Sequence, residues 1–246
     1  MTIEICTNGI TSSLNAQKGG ANRIELCDNL LEGGTTPSFG MIEIVKKQLS
    51  IDVFVMIRPR GGDFFYSALE FEIMKNDILR CKEIGVEGVV FGLLNLDGTI
   101  DKKRTELLIN IARPMQVTFH RAFDRCNDLE QGLEDLIELG VENVLTSGGT
   151  PKAIDSLPTL KKLVQQAGDN INIMVGSGVR PDNVHHFKNI GITNFHFSAT
   201  TTMDSKMKYR PTVFDVQEAL SIAEFELKVS SEEMIRQMRE NLEVNY

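Results

Sequence analysis

Cysteine is scarce in this chain: Cys6, Cys27, Cys81 and Cys126 are spread over 246 residues, and no two stand at the CxxC spacing of a zinc ribbon or a redox motif. The amino terminus, MTIEICTNGI, has neither a basic n-region nor an apolar h-region, so no export is expected. The thiols are then expected to stay reduced in the cytoplasm, which excludes a disulfide-stapled fold. No apolar run approaches the roughly 20 residues that a spanning helix needs, and no membrane insertion is expected. Positive charge is short as well. Lys+Arg 26 against Asp+Glu 34 gives a formal net charge of -8, which leaves no electrostatic footprint for nucleic acid or for an anionic membrane.

What is present is ordinary globular composition, 41% hydrophobic and 24% charged, in a chain long enough for one large α/β domain. One phrase recurs: Gly20-Ala21-Asn22-Arg23-Ile24, Gly85-Val86-Glu87-Gly88-Val89, Gly140-Val141-Glu142-Asn143-Val144 and Gly191-Ile192-Thr193-Asn194-Phe195. Each copy reads as a glycine helix cap, one residue packed under the sheet, then a buried strand. The copies start 65, 55 and 51 residues apart, about twice the length of a βα unit, so a further strand and helix must fit inside each interval.

They do fit. Apolar runs at 3–6, 23–27, 53–58, 88–91, 117–120, 143–146, 171–175 and 194–197 make eight short strands, with helical patterns at 12–18, 41–49, 69–84, 104–111, 129–139, 153–166 and 181–188. The helix at 69–84 opens with a capping box, Ser67 with Glu70, and carries Leu69, Ile73, Met74, Ile78, Cys81 and Ile84 as its apolar stripe. Eight strands alternating with helices argue for a (β/α)8 TIM barrel, with an open doubly wound sheet as the alternative. The expected organisation is a single domain, 1–246, with a barrel core over about 1–225. Val213 to Ala223 is expected to be the closing helix, followed by a C-terminal helical extension over about 230–243 that starts at Ser230 and Glu233.

In a barrel of parallel strands the site lies at the carboxyl ends of the strands. The first strand ends Glu4-Ile5-Cys6 and the second Glu25-Leu26-Cys27; because side chains alternate, each Glu and Cys share a face, which should point into the barrel. The third strand runs into Arg58-Pro59-Arg60-Gly61-Gly62-Asp63, the fifth into His120-Arg121-Ala122-Phe123-Asp124, and the eighth ends His196-Phe197-Ser198. So many ionisable groups at one mouth are costly to bury unless they are paired or face a ligand. The sixth and seventh strands end in glycine turns, Thr146-Ser147-Gly148-Gly149 and Gly176-Ser177-Gly178; with Ser198 and Ala199 after the eighth strand, Ser177 and Gly178 are expected to form an anion nest of backbone N–H groups.

Each signal has a plainer reading beside it. Cys6 and Cys27 on adjacent strands suit a soft ion such as Cu(I), but cysteine is also among the most buried residue types. His120 and His196 serve equally as metal ligands, proton carriers or structural partners of carboxylates. Arg58 and Arg60 with Asp63 form either an anion clamp or a salt-bridge tether for the long loop. Three functions follow: Cu(I) binding by the two cysteines; an enzyme on a small anionic substrate; or a hard divalent metal held by Glu4, Glu25, His120 and His196. In the enzyme, Arg58, Arg60, Ser147, Ser177, Gly178 and Ser198 contact the anion, and Glu25, His120 or Asp124 exchanges a proton.

Long segments then carry a family resemblance: GGANRIELC at 19–27, GGTTPS at 33–38, MIRPRGGDFFYS at 56–67, GVVFGLLNLDGTID at 88–101, TFHRAFD at 118–124 and LTSGG at 145–149. From Glu4 to about Ser198 the chain resembles the CutC family of copper-homeostasis-associated proteins. The resemblance implies a (β/α)8 barrel, a cytoplasmic homo-oligomer and an association with copper, with Cys6 and Cys27 at the paired positions proposed as Cu(I) ligands.

Overall fold

A computed structural model describes residues 1–210 and 224–243. Eight parallel strands close into a barrel in sequence order: β1 (Thr2–Thr7), β2 (Arg23–Leu26), β3 (Asp52–Met56), β4 (Gly88–Phe91), β5 (Gln116–Phe119), β6 (Asn143–Thr146), β7 (Asn172–Val175) and β8 (Asn194–Phe197). Helices α1 (Ile10–Lys18), α2 (Phe39–Gln48), α3 (Ala68–Ile84), α4 (Lys102–Ala112), α5 (Leu129–Glu138), α6 (Leu157–Ala167) and α7 (Val184–Lys188) follow strands one to seven. The TIM barrel expected from the sequence is the architecture found.

The recurrent glycine phrase does the work read into it. Gly20, Gly85, Gly140 and Gly191 all adopt left-handed φ, of 89°, 81°, 70° and 94°, a conformation that a side chain would strain. The residue after each (Ala21, Val86, Val141, Ile192) is buried, and each phrase leads into an even-numbered strand. Helix starts are fixed as locally: Ser67 and Glu70 make the capping box on α3, while Ser38, Asp101 and Asp128 accept from Met41, Arg104 and Gln131 at α2, α4 and α5.

The core has two parts. Strand residues such as Ile5, Ile24, Val53, Val55, Val89, Val117 and Phe119 face the helices in one continuous apolar layer. A smaller cluster of Cys27, Phe54, Met56 and Val90, with Cys6 packed against it, fills part of the lumen.

Some expectations are corrected. On α3, Met74, Ile78 and Cys81 are buried with Phe71, whereas Leu69 and Ile73 are exposed, because the stripe turns with the 3.6-residue period. The pattern expected as one helix at 153–166 divides into a 3-10 turn, Ala153–Ser156, and α6, whose second residue is Pro158. Two further strands, β9 (Thr200–Asp204) and β10 (Glu226–Ser230), pair antiparallel as a mostly exposed ribbon that the sequence reading did not anticipate. Ser230 therefore belongs to a strand, and it is Ser231 that accepts from Met234 at the start of α8 (Glu232–Glu243). The closing helix expected at Val213 to Ala223 lies outside the described residues.

The eighth place in the helical ring is filled by α8, which packs between α7 and α1 and buries Ile235, Met238 and Leu242. Asn241 Nδ2 donates to Pro181 O at 2.8 Å on the α7 side, and Asn15 Nδ2 of α1 donates to Ser230 O at 2.9 Å. At that contact Gly19 leaves no room for a Cβ, which would come within 2.7 Å of Ile235 Cβ.

Candidate functional site

The barrel register explains how the polar cluster forms. Glu4 of β1 is level with Arg23 on β2 and with His196 on β8, and Cys6 is level with Glu25. Side chains at Glu4 and Cys6, at Arg23, Glu25 and Cys27, and at His196 take the same inward parity, so three neighbouring strands bring six polar groups together. Arg23 Nε donates to Glu4 Oε2 at 2.6 Å, and the other oxygen of Glu4 lies 2.7 Å from His196 Nδ1. His196 Nε2 faces Glu25 Oε2 at 3.7 Å. Cys27 Sγ lies 3.4 Å from the same Glu25 oxygen and 3.8 Å from Cys6 Sγ. Arg23 is further held by the Phe54 ring, 4.1 Å from its guanidinium carbon.

Burial makes every charge here costly, and partners decide where charge resides. For Glu4 burial favours protonation, but Arg23 and His196 outweigh it and bring the carboxyl down to about 2. Burial likewise opposes charge on His196, yet Glu25, Cys6 and Glu4 raise the imidazole well above its ordinary value. Hydrogen bonding from Cys27, then His196, against the effect of burial, lowers the Cys6 thiol to about 5. Its partner Cys27 is pushed well up by that contact and by burial, and Glu25 is pushed well up by burial and by Cys6. The cluster thus favours charge on Cys6, His196 and Glu4 and disfavours it on Glu25 and Cys27. Burial, with Asp77 beside Cys81 and Asp124 beside Cys126, lifts both of the other thiols to about 12.

The donor set fits a metal ion. One ligand atom each from Cys6, Glu25 and His196 lie within 4.8 Å of one another, and Cys27 adds a second sulfur. Cys6 and Cys27 would offer such an ion two sulfurs that stand 3.8 Å apart, soft donors of the kind that hold thiophilic metals.

The other candidate residues fare differently. Arg58 is buried, and its guanidinium donates to the carbonyls of Glu32, Gly34 and Gly62 at 2.7–2.8 Å, which pins the loop after β2 to the loop after β3. That loop lies directly on the site: a Cβ at Gly34 would stand 3.1 Å from Cys27 Sγ. Arg60 points away, to Glu70, Asp63 and Phe65 O. Asp124 accepts from Thr146, from the backbone of Ser147 and Gly149, and from Arg121, and Ser147 is consumed in the same network. His120 is buried in the lumen wall beside Phe64; its Nδ1 accepts from Ala122 N, so Nε2 carries the proton. Ser177, Gly178 and Ser198 stand at the rim over β7 and β8. Arg23 and Met174, which lie 3.8 Å apart, were missed in the sequence, although the parity that selects Glu25 also selects Arg23.

Among the described residues no helix is long and apolar enough to cross a membrane. Residues 1–201 match the CutC family. The chain is 48% identical to the copper homeostasis protein cutC homolog of Homo sapiens, over 95% of this chain and 86% of that one. It is 44% identical to a CutC family protein of Chromobacterium violaceum over 98% of both. A crystal structure of a CutC copper homeostasis protein from Streptococcus agalactiae superposes with a TM-score of 0.77 at 36% identity, over 80% of this chain and 98% of that one. The matched segment runs from β1 through β8 and so takes in every residue of the polar cluster: the chain belongs to the CutC family.

Proposed function

We propose that the protein is a cytoplasmic copper-homeostasis protein that binds Cu(I) through Cys6 and Cys27 at the barrel mouth, with His196 as the third donor. The observation that carries this reading is the pair of sulfurs 3.8 Å apart beside an imidazole. Two soft thiolates would select Cu(I) over hard cations. Glu4 supports the site by fixing the orientation of the His196 ring from its far nitrogen.

Anaerobic titration of the reduced protein with Cu(I) against a competing chelator tests this. The wild type binds one equivalent tightly; Cys6→Ser/Cys27→Ser abolishes that binding, and His196→Gln weakens it by at least tenfold. Unchanged affinity in the double cysteine variant would sink the copper reading.

A second reading rests on a separate observation. Glu25 Oε1, His120 Nε2 and Thr118 Oγ1 are buried polar atoms of the lumen with no partner among the described residues. Atoms of this kind cost free energy unless something bonds to them. They favour a barrel enzyme on a small anionic substrate, with Glu25 as acid and the neutral His120 as an N–H donor.

A further inference from the structure

The rim above β7 and β8 is built unlike the rest of the mouth. Only three non-glycine residues take left-handed φ among the described residues, and two are here: Ser177 at 76° and Ala199 at 48°. Gly178 follows Ser177 in the same conformation, at 74°. Holding ordinary side chains in that region costs of order 1 kcal/mol each and persists where the surroundings require it. The register aligns Met174 with Asn194 and Val175 with Phe195, and a Cβ at Gly176 would stand 3.4 Å from His196 Cδ2, so the two loops leave neighbouring strands side by side. A turn in which left-handed residues adjoin right-handed ones directs consecutive N–H groups to one side of the chain and makes a concave donor set for an anion.

These donors are free. Among the described residues, the backbone N–H groups of Ser177, Gly178, Ser198 and Ala199 meet no protein acceptor. The hydroxyls are ordered around them: Ser177 Oγ donates to Pro151 O at 2.6 Å, and Ser198 Oγ accepts from Thr200 Oγ1 at 2.8 Å. Lys152 supplies the positive charge, its side chain running 3.6 Å from where a Cβ on Gly178 would stand, with no ion pair among the described residues. Below the rim, His196 precedes Ser198 by two residues, about 6–7 Å along the strand. A molecule anchored at the rim therefore reaches the unpartnered Glu25 oxygen, which lies in the same cluster as His196.

We propose that the loops after β7 and β8 form a phosphate-binding subsite, and that the barrel takes a small phosphomonoester whose phosphate is held by the N–H groups of Ser177, Gly178, Ser198 and Ala199 and by Lys152. The body of the ligand points into the lumen, toward Glu25 and His196. This deepens the reading of the lumen as a small-molecule site, supplies the anion contact that Arg58 and Arg60 do not make, and is independent of copper. A phosphate presents several acceptor oxygens, the complement of a donor set that has backbone N–H groups and one ammonium.

Inorganic phosphate is the probe, added to isotope-labelled full-length protein and compared with chloride at equal ionic strength. Saturable shifts of the four amide signals, fitting one dissociation constant, are expected. Ser198→Asp, which sets a carboxylate at the rim, weakens that constant by at least tenfold and Lys152→Gln by severalfold, while Ser198→Ala leaves it within twofold. Amide signals of Ser198→Asp that are unchanged away from the loops after β7 and β8 show that the variant is folded. Saturable shifts confined to other mouth residues would overturn the subsite and leave the anionic-substrate reading standing; no saturable shift anywhere would remove both.

Discussion

Burial acts on His120 and His196 with opposite outcomes, and the difference lies in their neighbours. His196 has Glu25, Cys6 and Glu4 around it, and they raise its imidazole well above the ordinary value. His120 has only burial and the positive Arg58, and its imidazole falls to about 3. Between pH 6.5 and about 3 the unfolded chain binds a proton at this residue that the folded chain refuses, so folding stability drops as pH falls through that window. The slope from one such group is about 1.4 kcal/mol per pH unit. His196 has the opposite sign and acts higher: its contribution is complete below about 6.5 and is lost as pH rises through its raised value. Glu4, at about 2, contributes stability that is lost only as pH falls below about 4.5. Cys6, at about 5, and Glu25, raised above its ordinary value, change protonation in the same window, so the His120 contribution is read by difference: in urea unfolding at pH 6.5, 5.5 and 4.5, His120→Gln should decline less steeply toward low pH than the wild type, and parallel curves would show that the histidine is not held neutral. The inward direction of both histidines was legible from alternation along the strands. Their charge states were not, because Arg58, 62 residues earlier in the chain, decides one and residues of β1 and β2 decide the other.

At the scale of elements, the loop after β2 determines who reaches the cysteines. It turns through left-handed Asn29, Gly33 and Gly34, is bridged where Asp28 and Thr35 exchange backbone bonds, and is fastened by Arg58. Arg58→Met removes three charge-assisted bonds and leaves carbonyls of two loops without their donor, a loss of about 2–4 kcal/mol. The same change loosens the cover over Cys27, and alkylation of that thiol by a small maleimide should accelerate several-fold. Arg60→Met, whose partners lie at the surface, should cost about 1 kcal/mol or less and leave the thiol rate unchanged. Equal effects of the two substitutions would show that Arg58 does not hold the loop. The sequence placed both arginines at the end of β3, and the glycines marked the turns. Which arginine would find backbone carbonyls depended on the path of a loop from another βα unit, and no local pattern encodes that path.

On the scale of the whole molecule, eight strands need eight covering elements, and the structure shows how the last is supplied. The strands and the first seven helices follow from local signals: glycine caps, capping residues and apolar runs at regular intervals. After β8 the chain leaves the barrel in the β9–β10 ribbon, whose mostly exposed faces give no alternating apolar pattern to read. It then returns with α8 to the gap between α7 and α1, so of the two roles the sequence leaves open for its C-terminal helix, sealing the barrel or a subunit contact, the structure shows the helix packed in the ring. Gly19 at the end of α1 is where this docking is tightest, since a Cβ there would come within 2.7 Å of Ile235 Cβ and 2.9 Å of Glu232 O. Gly19 has an ordinary φ of -71°, so a substitution acts through contact alone and not through backbone strain. Gly19→Ala should destabilise the fold by about 1–3 kcal/mol through overpacking. Ile235→Ala, at a fully buried position, should cost about 2–4 kcal/mol, whereas Leu69→Ala on the exposed side of α3 should be nearly neutral. In the double variant the methyl group at position 19 has already displaced α8, so less burial remains for Ile235→Ala to remove, and the combined loss should be smaller than the sum of the single losses. Strict additivity in urea unfolding would mean that the α1–α8 contact is not the one that closes the ring.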